Sequence, residues 1–302
     1  MSNSSSAELK TSQSSNNLKG VLWALIATAL FALAAAMAKV AVKDYHILQI
    51  LFFRQLVVFL SSLPFIASSF PASLKTQQPL IHTYRLIGAF IALSGGIWAV
   101  SILPLTTATT LGFAQVFFIS LLAWYFLNEP IGTHRLGAVA LGFLGVILVM
   151  RPGFDGILNV NVLIPTIAAL GASVAIISVR KLSQTESTAT LLVYQALFVG
   201  ILAGIPLFWL WVTPDLPGLL FLMAMGVLAA GGQWTGVIAL RLGEASVIGS
   251  IQYVQLIYAA ILGFILFCEV PDRYTLLGAA IIISASLYLM YRESLSKKKS
   301  NS

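Results

Sequence analysis

Arg54 is the residue whose surroundings first pose a chemical question. It is the one charge deep inside an apolar run, within ILQILFFRQLVVFL at 47–60. A charged side chain at the centre of a bilayer costs at least about 2.5–3.5 kcal/mol, so it marks function by default. A guanidinium in that place has two uses. It can grip a carboxylate or phosphate on a ligand with its fork of N–H donors, or it can bond backbone carbonyls and helix ends and lock helices together. Amides come next. Gln115 and Gln255 lie in the runs FAQVFFISLLAWYFLNEP (113–130) and YVQLIYAAILGFILFCEVP (253–271), where even an uncharged amide needs a partner. Gln252, Gln255 and Tyr258 recur at every third position and share one helix face; Thr107, Leu111 and Gln115 share another. Such faces offer hydrogen bonds to a ligand or glue between helices. Trp98 and Trp234 each follow paired glycines, Gly95–Gly96 and Gly231–Gly232, where helices can approach closely or deform. An indole there could stack on a planar ligand or close a gate. Tyr194 and Tyr253 are weaker aromatic candidates.

The remaining reactive residues form no catalytic or metal-binding pattern. His46, His82 and His134 are scattered without metal-ligand spacing, and there is no GxxxxGK[ST] phosphate loop. The single cysteine, Cys268, excludes an internal disulfide or a cysteine-based cluster and reads as a small apolar side chain. No cofactor and no enzymatic role are expected. Glu129 and Glu269 each end an apolar run shortly before a proline, the pattern of a helix exit. They are expected at headgroup level, paired with a loop arginine such as Arg135 or Arg273. The other acids, including Asp44, Asp155, Asp215 and Asp272, fall in loops, so the chain lacks the intramembrane acid relay of a proton-driven pump.

Composition says what elements hold these residues. The chain is 59% hydrophobic and 9% charged over 302 residues, against about 25% charged in a soluble domain. So many apolar residues exceed what one core can bury, and lipid is the main solvent. Ten runs are long enough for membrane helices: 19–41, 46–68, 83–103, 107–127, 133–151, 160–180, 189–211, 216–238, 245–268 and 273–292. Segments such as RPGFDG and VTPDLPG break them. Residues 1–18, rich in Ser and Asn, read as a disordered cytoplasmic tail, and 293–302 as a basic one. The net charge of +7 comes with no basic face or motif for nucleic acid. It follows membrane topology instead. With a cytoplasmic N-terminus, twelve Lys and Arg lie inside against four outside (Lys39, Lys43, Arg151, Arg273), which places both termini in the cytoplasm.

Half of the chain restates the other half. Gln115 and Gln255 are 140 positions apart, as are Glu129 and Glu269. SGGIW (94–98) matches AGGQW (230–234), FRQL from Phe53 matches YQAL from Tyr194, and LGAVALG (136–142) matches LGAAIII (277–283). The fold expected is all-α and integral to the membrane, with ten transmembrane helices. They form two five-span repeats, 19–151 and 160–292. Five is odd, so the second copy enters from the opposite side, giving the inverted repeat common among secondary transporters.

LPLTTATTLGFAQVFFISLLAWYFLNEP, LGAVALGFLGVILVMRPG and EASVIGSIQYVQLIYAAILGFILFCEVPDRYTLLGA resemble the drug/metabolite transporter superfamily, in particular its EamA-type ten-helix members. LPLTTATT, RKLSQTES and FCEVPD look most like the branch containing S-adenosylmethionine uptake proteins. The resemblance implies two five-helix bundles around a central cavity lined mainly by spans 1, 3, 4, 6, 8 and 9. An arginine in FFRQL is general to that family across many substrates, which favours the locking role for Arg54. The function expected is an inner-membrane secondary transporter of a small polar organic metabolite, an amino acid, a derivative or a nucleoside-like compound. The alternatives are a drug or toxic-metabolite exporter and, from a different class, an intramembrane lipid-linked transferase. The candidate substrate-binding set is Arg54, Trp98, Gln115, Trp234, Gln252, Gln255 and Tyr258. The expected partners are a small molecule, the lipid bilayer, a counter-substrate or proton, and at most a second copy in a weak homodimer.

Overall fold

A computed structural model describes residues 2–69, 76, 78–127, 133–150, 160–182, 185–186, 188–242, 248 and 251–300. Among them all regular structure is helical: α1 (Ser2–Ala41), α2 (Ile47–Ser69), α3 (Pro79–Ile102), α4 (Leu105–Gly112), α5 (Gln115–Leu127), α6 (Thr133–Met150), α7 (Val160–Leu182), α8 (Thr188–Gly204), α9 (Leu207–Leu210), α10 (Leu216–Leu242), α11 (Val254–Phe267) and α12 (Arg273–Ser300). Lipid offers no hydrogen bonds, so a spanning backbone must satisfy itself, and an isolated apolar segment can do so only as a helix. Six stretches are long and apolar enough to cross a bilayer: Leu18–Ala41, Ile47–Pro64, Pro79–Ile102, Leu105–Leu122, Leu216–Ala239 and Arg273–Tyr291. Four shorter apolar helices, Leu136–Met150, Leu163–Val179, Thr190–Gly204 and Val254–Phe267, accompany them. The protein is a multi-pass membrane protein, and Leu144, Ile147, Ile201, Phe264, Ile265 and Leu276 point outward, exposed.

Four helix pairs dominate the packing: α3 with α7, α1 with α10, α6 with α12, and α2 with α8. Small residues allow the close approaches. A Cβ on Gly88 would stand 2.7 Å from the Gly171 carbonyl oxygen, and one on Gly171 would stand 2.8 Å from that of Gly88, so α3 and α7 touch backbone to backbone. On α8, Gly200 faces Gln55 and Gly204 faces the Phe52 ring, which makes that pair of glycines a seam against α2. One buried cluster gathers Ala36, Ile50, Leu51, Leu105, Leu222 and Met225; another gathers Leu111, Phe117, Val146 and Ile282.

Several boundaries differ from the sequence expectation. The run expected as one helix over 107–127 breaks at Phe113–Ala114, between α4 and α5. A second break falls at Gln252–Tyr253, before α11. The seventh run ends at Gly204, since Pro206 cannot donate to a continuing helix, and α9 follows as a single turn. At the termini, α1 reaches back to Ser2 and α12 on to Ser300, where composition predicts a disordered tail and a basic tail. Once a packed span has nucleated a helix, adding residues to its end costs little.

Candidate functional site

The two helix breaks stand face to face. Phe113 and Tyr253 occupy the break positions, 140 residues apart in sequence, and their rings meet at a 38° tilt with centroids 4.9 Å apart. Phe113 folds back through its N–H to the Thr110 carbonyl (3.2 Å), and Leu256 donates to the Tyr253 carbonyl (3.0 Å). Gln115 and Gln255 each stand two residues past a break.

Beside this crossing lies a cavity of about 300 Å³. Its walls come from α1 (Phe31, Ala34, Ala35, Ala38), α3, the α4–α5 junction, α7, α10 (Met225, Ala229) and the turn before α11. A single side chain of α2 reaches it, Arg54. The alanines of ALFALAAAMAK explain the space, because Ala34, Ala35 and Ala38 leave room that larger side chains would fill. Among the described residues the polar groups on the wall are Arg54, Thr109, Gln115, Gln252 and Gln255, and no acidic residue is among them.

The sequence candidates divide accordingly. Arg54, Gln115, Gln252 and Gln255 line the cavity together. Tyr258 is half-buried and outside the lining. Trp98 is 49% exposed on the outer face of α3, although Gly96, two residues earlier, does line the cavity. Trp234 is half-buried and likewise outside the lining. The paired glycines serve helix seams: a Cβ on Gly95 would stand 2.8 Å from that of Ala168 on α7, and one on Gly232 would stand 3.1 Å from the Phe31 ring of α1. Thr107 meets Thr275 of α12 (3.3 Å) and Leu111 is fully buried, because the break after Gly112 rotates Gln115 off their face. Tyr253 is buried against Phe113, and the Tyr194 ring lies 4.7 Å from that of His82.

Arg54 departs from the role the family resemblance favours. Among the described residues no hydrogen bond or ion pair holds its guanidinium, and its Nε is buried without a partner. A lock needs a bond to act through, and none is present among the described residues.

Two charged clusters sit at opposite ends of the bundle. At one, Lys39 of α1 pairs with Glu269 and donates to the Leu103 carbonyl (2.6 Å), while Glu269 accepts from the Leu105 N–H at the start of α4 (2.8 Å). Glu269 therefore joins α1 and the α3–α4 corner, and its partner is Lys39 rather than Arg273, whose guanidinium lies over the Tyr274 ring. Glu129 lies outside the described residues. At the other end His82 Nε2 meets Glu186 Oε2 at 2.5 Å, with both side chains almost wholly buried. Thr76 donates to the other Glu186 oxygen (2.5 Å), and Arg85, 2% exposed, donates to Gln195 Oε1 (3.1 Å). In the sequence His82 is noted only for its lack of metal-ligand spacing, and neither Arg85 nor Glu186 is singled out. The available signal was the spacing of three between His82 and Arg85 on α3, which puts imidazole and guanidinium on one face. Among the described residues no group of three His, Cys, Asp or Glu could hold a metal.

The sequence model of the EamA-like transporter family matches residues 18–151 and 161–291. An S-adenosylmethionine uptake transporter from Rickettsia bellii (strain RML369-C) is 29% identical over 281 residues, covering 92% of this chain and 96% of that protein. A riboflavin transporter from Vibrio cholerae is 27% identical over 285 residues (92% and 94%). A pseudopaline exporter from Pseudomonas aeruginosa is 27% identical over 272 residues (89% and 95%). A solved structure described as "Crystal structure of protein" aligns with a TM-score of 0.63 at 15% identity, over 92% of this chain and 97% of that one; at that identity the likeness is of fold.

Proposed function

This chain belongs to the EamA-like transporter family, and from that premise we propose that it is an inner-membrane secondary transporter. It moves a small polar organic metabolite, an amino acid, a derivative of one or a nucleoside-like compound, by alternating access through the cavity beside Phe113 and Tyr253. The observation that carries this reading is the cavity itself. It has polar groups on an otherwise apolar wall and lies where two broken helices cross, the arrangement transporters use to bind substrate near the midplane.

The same reading takes the chain as ten spans in two inverted repeats, with both termini cytoplasmic. Three observations support it. The family's sequence model matches twice. The break positions are 140 residues apart and touch. Exchanging the halves turns the α1–α10 contact into the α7–α3 contact and leaves α2–α8 and α6–α12 in place. Substrate contacts fall to Gln115, Gln252 and Gln255, with Thr109 beside them. The relatives' names include both uptake and export, so direction is a matter for measurement.

Reconstitution tests the proposal. Proteoliposomes holding the full chain should take up at least one member of a radiolabelled panel of amino acids, nucleosides, S-adenosylmethionine and riboflavin. Uptake should be driven by internal counter-substrate without a proton gradient. Gln115→Ala and Gln255→Ala should each lower that uptake about ten-fold with unchanged elution on gel filtration, the loss of one or two buried hydrogen bonds. A monodisperse protein that moves no panel member defeats the transport reading, and full activity in both variants defeats the site.

A further inference from the structure

We infer that the cavity selects substrates carrying an anionic group, a carboxylate or phosphate, which the Arg54 guanidinium binds; this rests on the transport reading above. Three features carry it. Arg54 is the charged residue among the described residues lining the cavity, and no Asp or Glu among them stands on the wall to balance it. Its guanidinium has no hydrogen-bond or ion-pair partner among the described residues. The other polar lining groups, Gln115, Gln252, Gln255 and Thr109, are neutral, and so cannot neutralise it.

A cation in an apolar membrane protein is retained only with a counter-charge or with water. In an empty cavity water serves. When a ligand displaces that water, the ligand must bring the counter-charge, or the guanidinium is left desolvated and unpaired. A carboxylate or phosphate answers the fork of donors with two parallel charge-assisted hydrogen bonds. A net-cationic ligand meets like charge with no acidic side chain among the described lining residues to offset it. A neutral ligand leaves the fork unsatisfied. The amides and Phe31 then suit the remainder of the substrate, its polar edges and its apolar face. The substrate class narrows to metabolites of zero or negative net charge that carry an acid group.

The test compares acids with their amides on the unmodified protein. Radiolabelled uptake of whichever panel member is moved is competed with matched pairs: phenylalanine against phenylalaninamide, methionine against methioninamide, and a nucleoside 5′-monophosphate against the nucleoside. The acid or phosphate member should compete at least about ten-fold better in at least one pair, the weight of a charge-assisted bidentate contact. Arg54→Gln should erase that preference while Arg54→Lys keeps part of it. If Arg54→Gln cannot be purified, the wild-type comparison decides alone. Equal competition within every pair overturns the anion site and leaves transport standing, as does active uptake of riboflavin, of an uncharged nucleoside or of the net-cationic S-adenosylmethionine. Retention of the acid preference by Arg54→Gln overturns the role of Arg54. A folded protein that moves nothing overturns the transport reading and this inference with it.

Discussion

Cys268 adopts φ 55, the positive-φ non-glycine among the described residues, at the C-terminal cap of α11. The chain turns back there. Cys268 N–H bonds the Phe264 carbonyl and Glu269 N–H the Gly263 carbonyl, each at 3.0 Å, the left-handed ending that helices commonly close with glycine. That turn aims the Glu269 carboxylate at Lys39 and at Leu105 N–H. A side chain in the left-handed region costs about 1 kcal/mol relative to glycine. Cys268→Gly is therefore expected to raise the thermal midpoint of the detergent-purified protein, read by fluorescence-detected gel filtration. Glu269→Ala is expected to lower stability by about 2 kcal/mol, short of the roughly 3–5 of a fully buried pair, because Lys39 keeps the Leu103 carbonyl. Should the two variants shift the midpoint the same way, the cap is not what positions this ion pair. Little of this was legible in sequence. A cysteine in an apolar run carries no sign that its backbone is left-handed, and Glu269 had a nearer arginine at Arg273.

Between elements, the closest contact is the α3–α7 crossing, where Gly88 and Gly171 bring backbones together. A methyl on Gly88 meets a carbonyl oxygen, which cannot rotate away as a side-chain tip would. Gly112, at the α4–α5 break, has nothing within 4 Å of the same methyl. Gly88→Ala should thus cost about 1–3 kcal/mol by overpacking, seen as a lower midpoint and reduced yield, while Gly112→Ala should match wild type. Equal loss in both would mean that these helices do not meet at Gly88. The existence of most helices could be read from sequence because lipid makes every long apolar run a helix. Where they break could not: FAQVFF and QYVQLI contain no proline, and the interruptions at 113–114 and 252–253 arise where two chain segments cross. The cavity amides were visible as isolated polar residues in apolar runs. The two tryptophans fall outside the cavity lining: the paired glycines before them form seams, Trp98 is exposed and Trp234 is half-buried.

At the scale of the whole molecule, an inverted repeat makes a claim about sides. Lys43 follows the first helix of one half and Thr185 the corresponding helix of the other; both are exposed. If the halves enter the membrane oppositely, these positions lie on opposite faces, and Cys268, exposed at the end of α11, shares the face of Lys43. The packing agrees with that division. Lys39, Leu103 and Glu269 gather at one end, and Thr76, His82 and Glu186 at the other. Labelling with a membrane-impermeant maleimide reads the sides directly. In intact spheroplasts the unmodified protein should label at Cys268 and the Cys268→Ser variant should not. In the Cys268→Ser background, Lys43→Cys should label in intact spheroplasts, and Thr185→Cys only after permeabilisation. Labelling of Lys43→Cys and Thr185→Cys from the same side would leave the halves parallel. The matching of α1–α10 with α7–α3 could then not be a two-fold exchange in the membrane plane, and a cavity opened alternately to the two faces by that exchange would lose its physical basis.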